Sequence, residues 1–327
     1  MANETTHLNS YSQAYIAIET VIGISAVLGN ILVIWAVKVN QSLQNTTFFF
    51  IVSLAFADLA VGILVMPLAI VISLGRQLHF YSCLFMCSLV IILTNASILS
   101  LLAISIDRYL RVKIPTRYKS VITLRRIYIS ILCVWIVSLI VGLVPMFGWN
   151  NRSKLKDEEK NYLKCEFESV MRMDYMVYFN TFGWVFLPLL IMVVLYIEIF
   201  YLIRKHLAKG TSNVKGKGMF YGKEYKTAKS LSIVLLLFVL SWMPLSIINC
   251  LILFSPSIKQ SSVFQPAIFF AILLSHANSA MNPIIYAFQI KKFKDSYIQI
   301  IKELFLHRDR LPESSSDEHT LDEIFQE

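Results

Sequence analysis

The chain has 327 residues, 56% hydrophobic and 16% charged, with a mean hydropathy of +0.62 and a formal net charge of +9. Soluble domains carry roughly 25% charged residues, so an ordinary water-soluble globule is excluded. The basic residues cluster just beyond apolar runs, which favours membrane topology over a nucleic-acid surface.

After residues 1–14, read as an extracellular amino terminus, apolar runs follow at Tyr15–Val39, Thr46–Leu74, Cys83–Val112, Arg125–Phe147, Met173–Ile203, Ala228–Phe254 and Val263–Ile290. Each suits one crossing of about 20–25 residues. In lipid an open chain satisfies its backbone hydrogen bonds only as a helix, so the expected fold is an all-α membrane protein, a seven-transmembrane helix bundle over residues 15–290. Pro67, Pro145, Pro188, Pro244 and Pro283 interrupt the runs and predict kinks whose freed carbonyls neighbouring groups re-satisfy. No internal repeat of ~20–50 residues is visible. Beyond Ile290, Phe293, Tyr297, Ile300, Ile301 and Leu304 recur at helical spacing with lysines opposite. They predict an amphipathic helix on the inner leaflet over residues 291–306, making membrane lipid a partner. Residues 307–327, with Ser314, Ser315 and Ser316 among acids, read as a disordered cytoplasmic tail. Phosphorylation and plain solvation of those serines are both open.

Lysine and arginine set the orientation. Arg111, Lys113, Arg117, Lys119, Arg125 and Arg126 follow the third run; Arg204, Lys205, Lys209, Lys215, Lys217, Lys223 and Lys226 follow the fifth; Lys291, Lys292 and Lys294 follow the seventh. That side is the cytoplasm, so the amino terminus is outside, and the first run is expected to act as an uncleaved signal. Cys83 and Cys165 then both face an oxidising compartment and are expected to form a disulfide. Cys87, Cys133 and Cys250 fall within spans as small packing residues. Asn3 and Asn151 are outward glycosylation acceptors, whereas topology discards the same pattern at Asn40, Asn45 and Asn95.

Polar residues retained in or at the rim of membrane helices are hypotheses about function. Asp107-Arg108-Tyr109 closes the third run and Asn282-Pro283-Ile284-Ile285-Tyr286 the seventh, both on the cytoplasmic side, as in a signalling machine. Asp58, Asn278 and Asn282 also suit an ion path, so a membrane transporter or channel is the competing class. Against it, no paired interrupted spans occur in two corresponding halves. No nucleophile–base pair, phosphate loop or zinc cluster suggests an enzyme or an enzymatic cofactor. Asp157, Glu158 and Glu159 alternate with lysines like a solvated surface.

With Asn30, Trp135, Pro188 and Trp242-Met243-Pro244 added in order, the chain resembles a rhodopsin-like G-protein-coupled receptor over its whole length. Within that family it resembles adenosine receptors. The segments carrying this are Arg108–Lys113, Pro145–Asn150, Cys165-Glu166-Phe167-Glu168 and Ser275-His276-Ala277-Asn278-Ser279. The inhibitory first and third subtypes look most similar. Ser246 favours the third, Glu168 is nearer the first, and Asn95 matches neither.

Trp242, Leu245 and Asn249 form one helical stripe, and an amide at Asn249 pairs in donor and acceptor with an adenine edge or, equally, bridges two helices. Phe167 suits stacking on a purine or simple loop packing, and Leu245 and Ile272 could close the other face. The resemblance implies adenosine as ligand, with Asn249 and Phe167 at the adenine, Thr94, Ser275 and His276 at the ribose, and Met176 among the contacts. A Glu19–His276 pair would orient the imidazole, although Glu19 could instead reach the headgroups. Glu168 is a candidate gate or a solvated loop acid. The resemblance further implies an allosteric sodium ion held by Asp58, Ser97, Asn278 and Asn282 beneath Trp242. A protonated Asp58 in an interhelical hydrogen bond is the simpler reading. Arg108 is expected to pair with Asp107 and Glu224 in the resting state, with Tyr109 and Tyr286 in the same switch; alternatively Glu224 only balances Lys223 and Lys226 at a wet helix start. The implied partners are an inhibitory-class heterotrimeric G protein, receptor kinases and arrestin. No lysine occurs in Val263–Ile290 for retinal, and no carboxylate precedes Asp107 in the third run for a cationic amine.

Overall fold

The computed structural model describes residues 2–40, 43, 46–155, 161–209 and 215–308, side chains excepted at 2–11, 209, 215–219, 223 and 304–308. Among the sequence expectations, Asn45, Asp157, Glu158, Glu159 and the tail from 309 lie outside the described residues, as do the side chains of Asn3, Lys209, Lys215, Lys217, Lys223 and Leu304.

Seven helical stretches are long and apolar enough to span a bilayer: Ser12–Val39, Thr46–Ser73, Phe80–Lys113, Leu124–Phe147, Tyr175–Ala208, Phe220–Phe254 and Phe264–Gln289. The first helix begins at Ala2 rather than Tyr15, because helical hydrogen bonding continues beyond the apolar stretch that marks the crossing. Apolar side chains on the outer surface, such as Leu132 at 59% and Ile140 at 63% exposure, are where a bundle meets acyl chains.

The prolines show how the backbone is re-satisfied. Pro283 cannot donate to Ser279 O; Asn30 Nδ2 from the first span does so at 2.9 Å. Gly29 admits the proline ring, since a Cβ there would lie 2.9 Å from Pro283 Cγ. Pro145 has no N–H for Val141 O, which accepts instead from Val144 N–H and, at 2.7 Å, from the Tyr175 hydroxyl. Pro67 and Pro188 each follow a π-helical stretch, Val61–Val65 and Tyr175–Phe186, whose wider turns accommodate the ring and the missing N–H. The third and fourth spans approach closely at Gly142, where a Cβ would meet Ile92 N at 2.9 Å.

At the outer end, strand Gln77–His79 pairs antiparallel with Tyr162–Lys164. The Cys83–Cys165 disulfide, with Cα atoms 5.7 Å apart, ties that loop to the third span. At the inner end the chain turns at Ile290 into helix Lys291–Arg308. Its Phe293 is buried, stacked on Tyr286 and edge-on to Phe48; Tyr297 and Ile300 are also buried, while Ile301 is 43% exposed.

Candidate functional site

An outer cavity of about 210 Å³ opens between the second, third, fifth, sixth and seventh spans beneath the disulfide-bound loop. The loop is held locally: Asn151 Nδ2 donates to Glu168 O at 2.9 Å and Met171 O at 2.8 Å. Both amide hydrogens of Asn151 are engaged in these two bonds, and a glycosylated amide nitrogen would keep only one.

Phe167, Glu168, Met176, Thr94, Trp242, Leu245, Ser246, Asn249, Ile272, Ser275 and His276 all line this cavity. Asn249 lines the cavity and has no hydrogen-bond partner among the described residues, so its donor and acceptor both remain available. Thr94 Oγ1 donates to Val90 O at 2.8 Å and Ser275 Oγ to Ile272 O at 2.7 Å. With their protons committed, these hydroxyls present acceptors to the cavity. Glu19 does not reach for headgroups. It is fully buried, with Oε1 2.5 Å from His276 Nδ1, and Oε2 has no hydrogen-bond partner among the described residues. The Oε1 contact fixes the orientation of the ring. Glu168 is not merely solvated; it pairs with Lys259 at the mouth.

Sequence reasoning missed part of the wall. Tyr15 and Phe269 both line it, stacked at 4.7 Å. Asn180 lines it as well and accepts from Asn95 Nδ2 at 2.9 Å. Asn180 stands one helical turn beyond Met176, a periodicity that would have found it.

Below Trp242 lies a further cavity of about 10 Å³, the room of a single water. Under it Asp58 is wholly buried and accepts from Ser97 at 3.3 Å, Ser279 at 3.0 Å and Asn282 at 2.7 Å. Of the expected quartet, Ser97 and Asn282 bond the carboxylate directly. Asn278 lines the small cavity, and its neighbour Ser279 faces the carboxylate instead.

At the end of the bundle remote from the disulfide, Glu224, 6% exposed, joins Arg108 at 3.1 Å and Arg111 at 3.0 Å. It is therefore not the wet balance for Lys226. Asp107 does not pair with Arg108, which corrects that expectation; its carboxylate accepts from Thr47 at 2.5 Å and Tyr118 at 2.6 Å. Two hydroxyl donors satisfy it from adjacent elements, leaving Arg108 to the sixth span. Burial, then the adjacent Asp107 charge, push the Tyr118 phenol up to about 12, so it remains a donor at neutral pH. Tyr109 is bonded to Lys113 at 2.5 Å, and the buried Tyr286 hydroxyl has no hydrogen-bond partner among the described residues. Among the described residues no cluster of three or more His, Cys, Asp or Glu could hold a metal ion.

A family model described as 7 transmembrane receptor (rhodopsin family) matches residues 29–286. The chain is similar to adenosine receptor A3 of Bos taurus, at 57% identity over 92% of this chain and 94% of that protein. It is 56% identical to the A3 receptor of Ovis aries over the same shares, and to that of Canis lupus familiaris over 92% and 95%. The competing transporter class is not favoured by these matches, and a receptor rather than an enzyme is indicated. This multi-pass membrane chain belongs to the rhodopsin family of seven-transmembrane receptors, within its adenosine receptors.

Proposed function

We propose that the chain is a plasma-membrane receptor for adenosine, amino terminus outside, that activates an inhibitory-class G protein and so lowers adenylate cyclase activity. The observation carrying this reading is the unpaired Asn249 amide in a cavity it shares with the Phe167 ring. An amide of that kind matches the adenine edge, its exocyclic amine giving to Oδ1 and a ring nitrogen accepting from Nδ2. Phe167 stacks on one purine face, while Leu245, Ile272 and Met176 close the rest. The ribose hydroxyls donate to Thr94 and Ser275 and meet His276, whose ring Glu19 holds. The Glu168–Lys259 pair closes the mouth and slows exit.

Arg108 lies about 21 Å below Thr94 on the same helix, at ~1.5 Å per residue, so no ligand spans the distance. The sixth span carries the signal. Trp242 lines the ligand cavity, Pro244 interrupts the helix two residues further on, and Glu224 holds Arg108 at the other end. Outward movement breaks that pair and frees Arg108 for the G protein. Asp58, Ser97 and Asn282, with Ser279 and Asn278, hold a sodium ion in the resting state. A cation that prefers that state must lower agonist affinity. Receptor kinases and arrestin act on the tail. Nucleotide exchange on purified inhibitory G protein, titrated with a nucleoside panel, tests the assignment. Adenosine should accelerate exchange, and an unresponsive receptor that folds normally would refute it.

A further inference from the structure

A second large cavity lies on the flank of the bundle. A groove of about 440 Å³ opens sideways between the third and fourth spans, walled by Leu102, Ala103, Val134 and Val137 and closed at one end by Trp184 of the fifth. At its cytoplasmic end stands Arg126. Along the third span the groove runs from Leu99 to Leu110, about 17 Å at ~1.5 Å per residue, which is half of the ~30 Å hydrocarbon core. It therefore has the depth of one leaflet and a size within the range of small-molecule sites.

Its charge is one-sided. Arg117, Lys119, Arg125 and Arg126 are all exposed, and none has a carboxylate partner among the described residues. No acidic residue occurs anywhere from 114 to 147. Arg126 gives one guanidinium nitrogen to Val121 O and keeps its other donors free. The acid at the same end, Asp107, is buried and committed to Thr47 and Tyr118. An uncharged sterol would leave these cations unanswered.

We infer that this groove is a binding site for an anionic phospholipid of the cytoplasmic leaflet, one acyl chain lying against Ala103 and Val134 and the headgroup held by Arg126. Cys133 lines the groove and is exposed, so it reports occupancy directly. The test uses the full chain with Cys250→Ser, in nanodiscs of phosphatidylcholine alone or mixed equally with phosphatidylglycerol. Cys87 is buried, so alkylation by a membrane-permeant maleimide reads Cys133. Phosphatidylglycerol should slow alkylation about fivefold, the weight of one engaged cation at an anionic headgroup. It should also remain bound on detergent extraction in preference to phosphatidylcholine. Arg126→Gln should retain a lipid but lose the headgroup preference, and Ala103→Phe should lose both. Equal protection by the two lipids, protection by cholesterol as strong as by phosphatidylglycerol, or an unchanged preference in Arg126→Gln overturns the inference. If Ala103→Phe does not fold, the Arg126→Gln arm decides alone.

Discussion

Replacing Glu224 with glutamine keeps the shape of the side chain and removes the charge that holds Arg108 and Arg111. The Arg108 pair is buried, with side-chain exposures of 6% and 7%, whereas Arg111 is 28% exposed. A hydrogen bond to a charged group contributes ~1.5–3 kcal/mol when buried, and an exposed ion pair only ~0.5 kcal/mol. Arg108 Nε finds no partner, so the first contribution is taken at its low end. The sum, ~2 kcal/mol, biases the equilibrium only if the contact is absent from the active state. At ~1.4 kcal/mol per tenfold, Glu224→Gln should shift the resting-to-active ratio about 30-fold. Agonist-free nucleotide exchange on purified G protein should rise accordingly, at matched receptor density. Arg111→Gln should raise it by less than threefold. Basal exchange in Glu224→Gln within twofold of the parent would refute the idea that this contact restrains the resting state.

Replacing sodium chloride with choline chloride should raise agonist affinity in the parent chain but not in Asp58→Asn; equal affinities in the parent would remove the ion from Asp58. Cys83→Ser and Cys165→Ser should each impair surface expression or binding, and the double variant should match the singles, because both lose one bond. Peptide mass analysis should find Asn151 without glycan, given its two carbonyl contacts. A fully occupied Asn151 would show that the loop reorganises in the cell.

Much of this architecture is readable along the chain because lipid imposes length and polarity on each crossing. The seven spans and the disulfide follow from apolar length and from which side each cysteine faces. Partner choice within polar clusters is less legible. Asp107 and Arg108 are adjacent in sequence, yet a helix points neighbours about 100° apart. Asp107 therefore meets Thr47 and Tyr118, and Arg108 meets Glu224. The same geometry exchanges Asn278 for Ser279 at Asp58, where one residue of rotation in the kinked seventh span decides which side chain faces the carboxylate. The π-helical turns before Pro67 and Pro188 shift register in the same way, and no residue count anticipates them. Glu19–His276 was accessible because each is the lone group of its kind in an apolar run. Tyr15 and Phe269, ordinary aromatics in apolar runs, carried no comparable signal.

The central claim is that the outer cavity recognises adenosine through Asn249. The direct measurement is adenosine and inosine binding to the purified chain and to Asn249→Ala. Inosine replaces the exocyclic amine donor with a carbonyl, which opposes Asn249 Oδ1. Losing paired hydrogen bonds in a closed polar site costs ~2–4 kcal/mol, so adenosine should bind Asn249→Ala about 30- to 1,000-fold more weakly. Inosine should lose less, since it satisfies that amide poorly to begin with. Adenosine binding to a folded Asn249→Ala within threefold of the parent, or no preference for adenosine over inosine in the parent, would contradict the account.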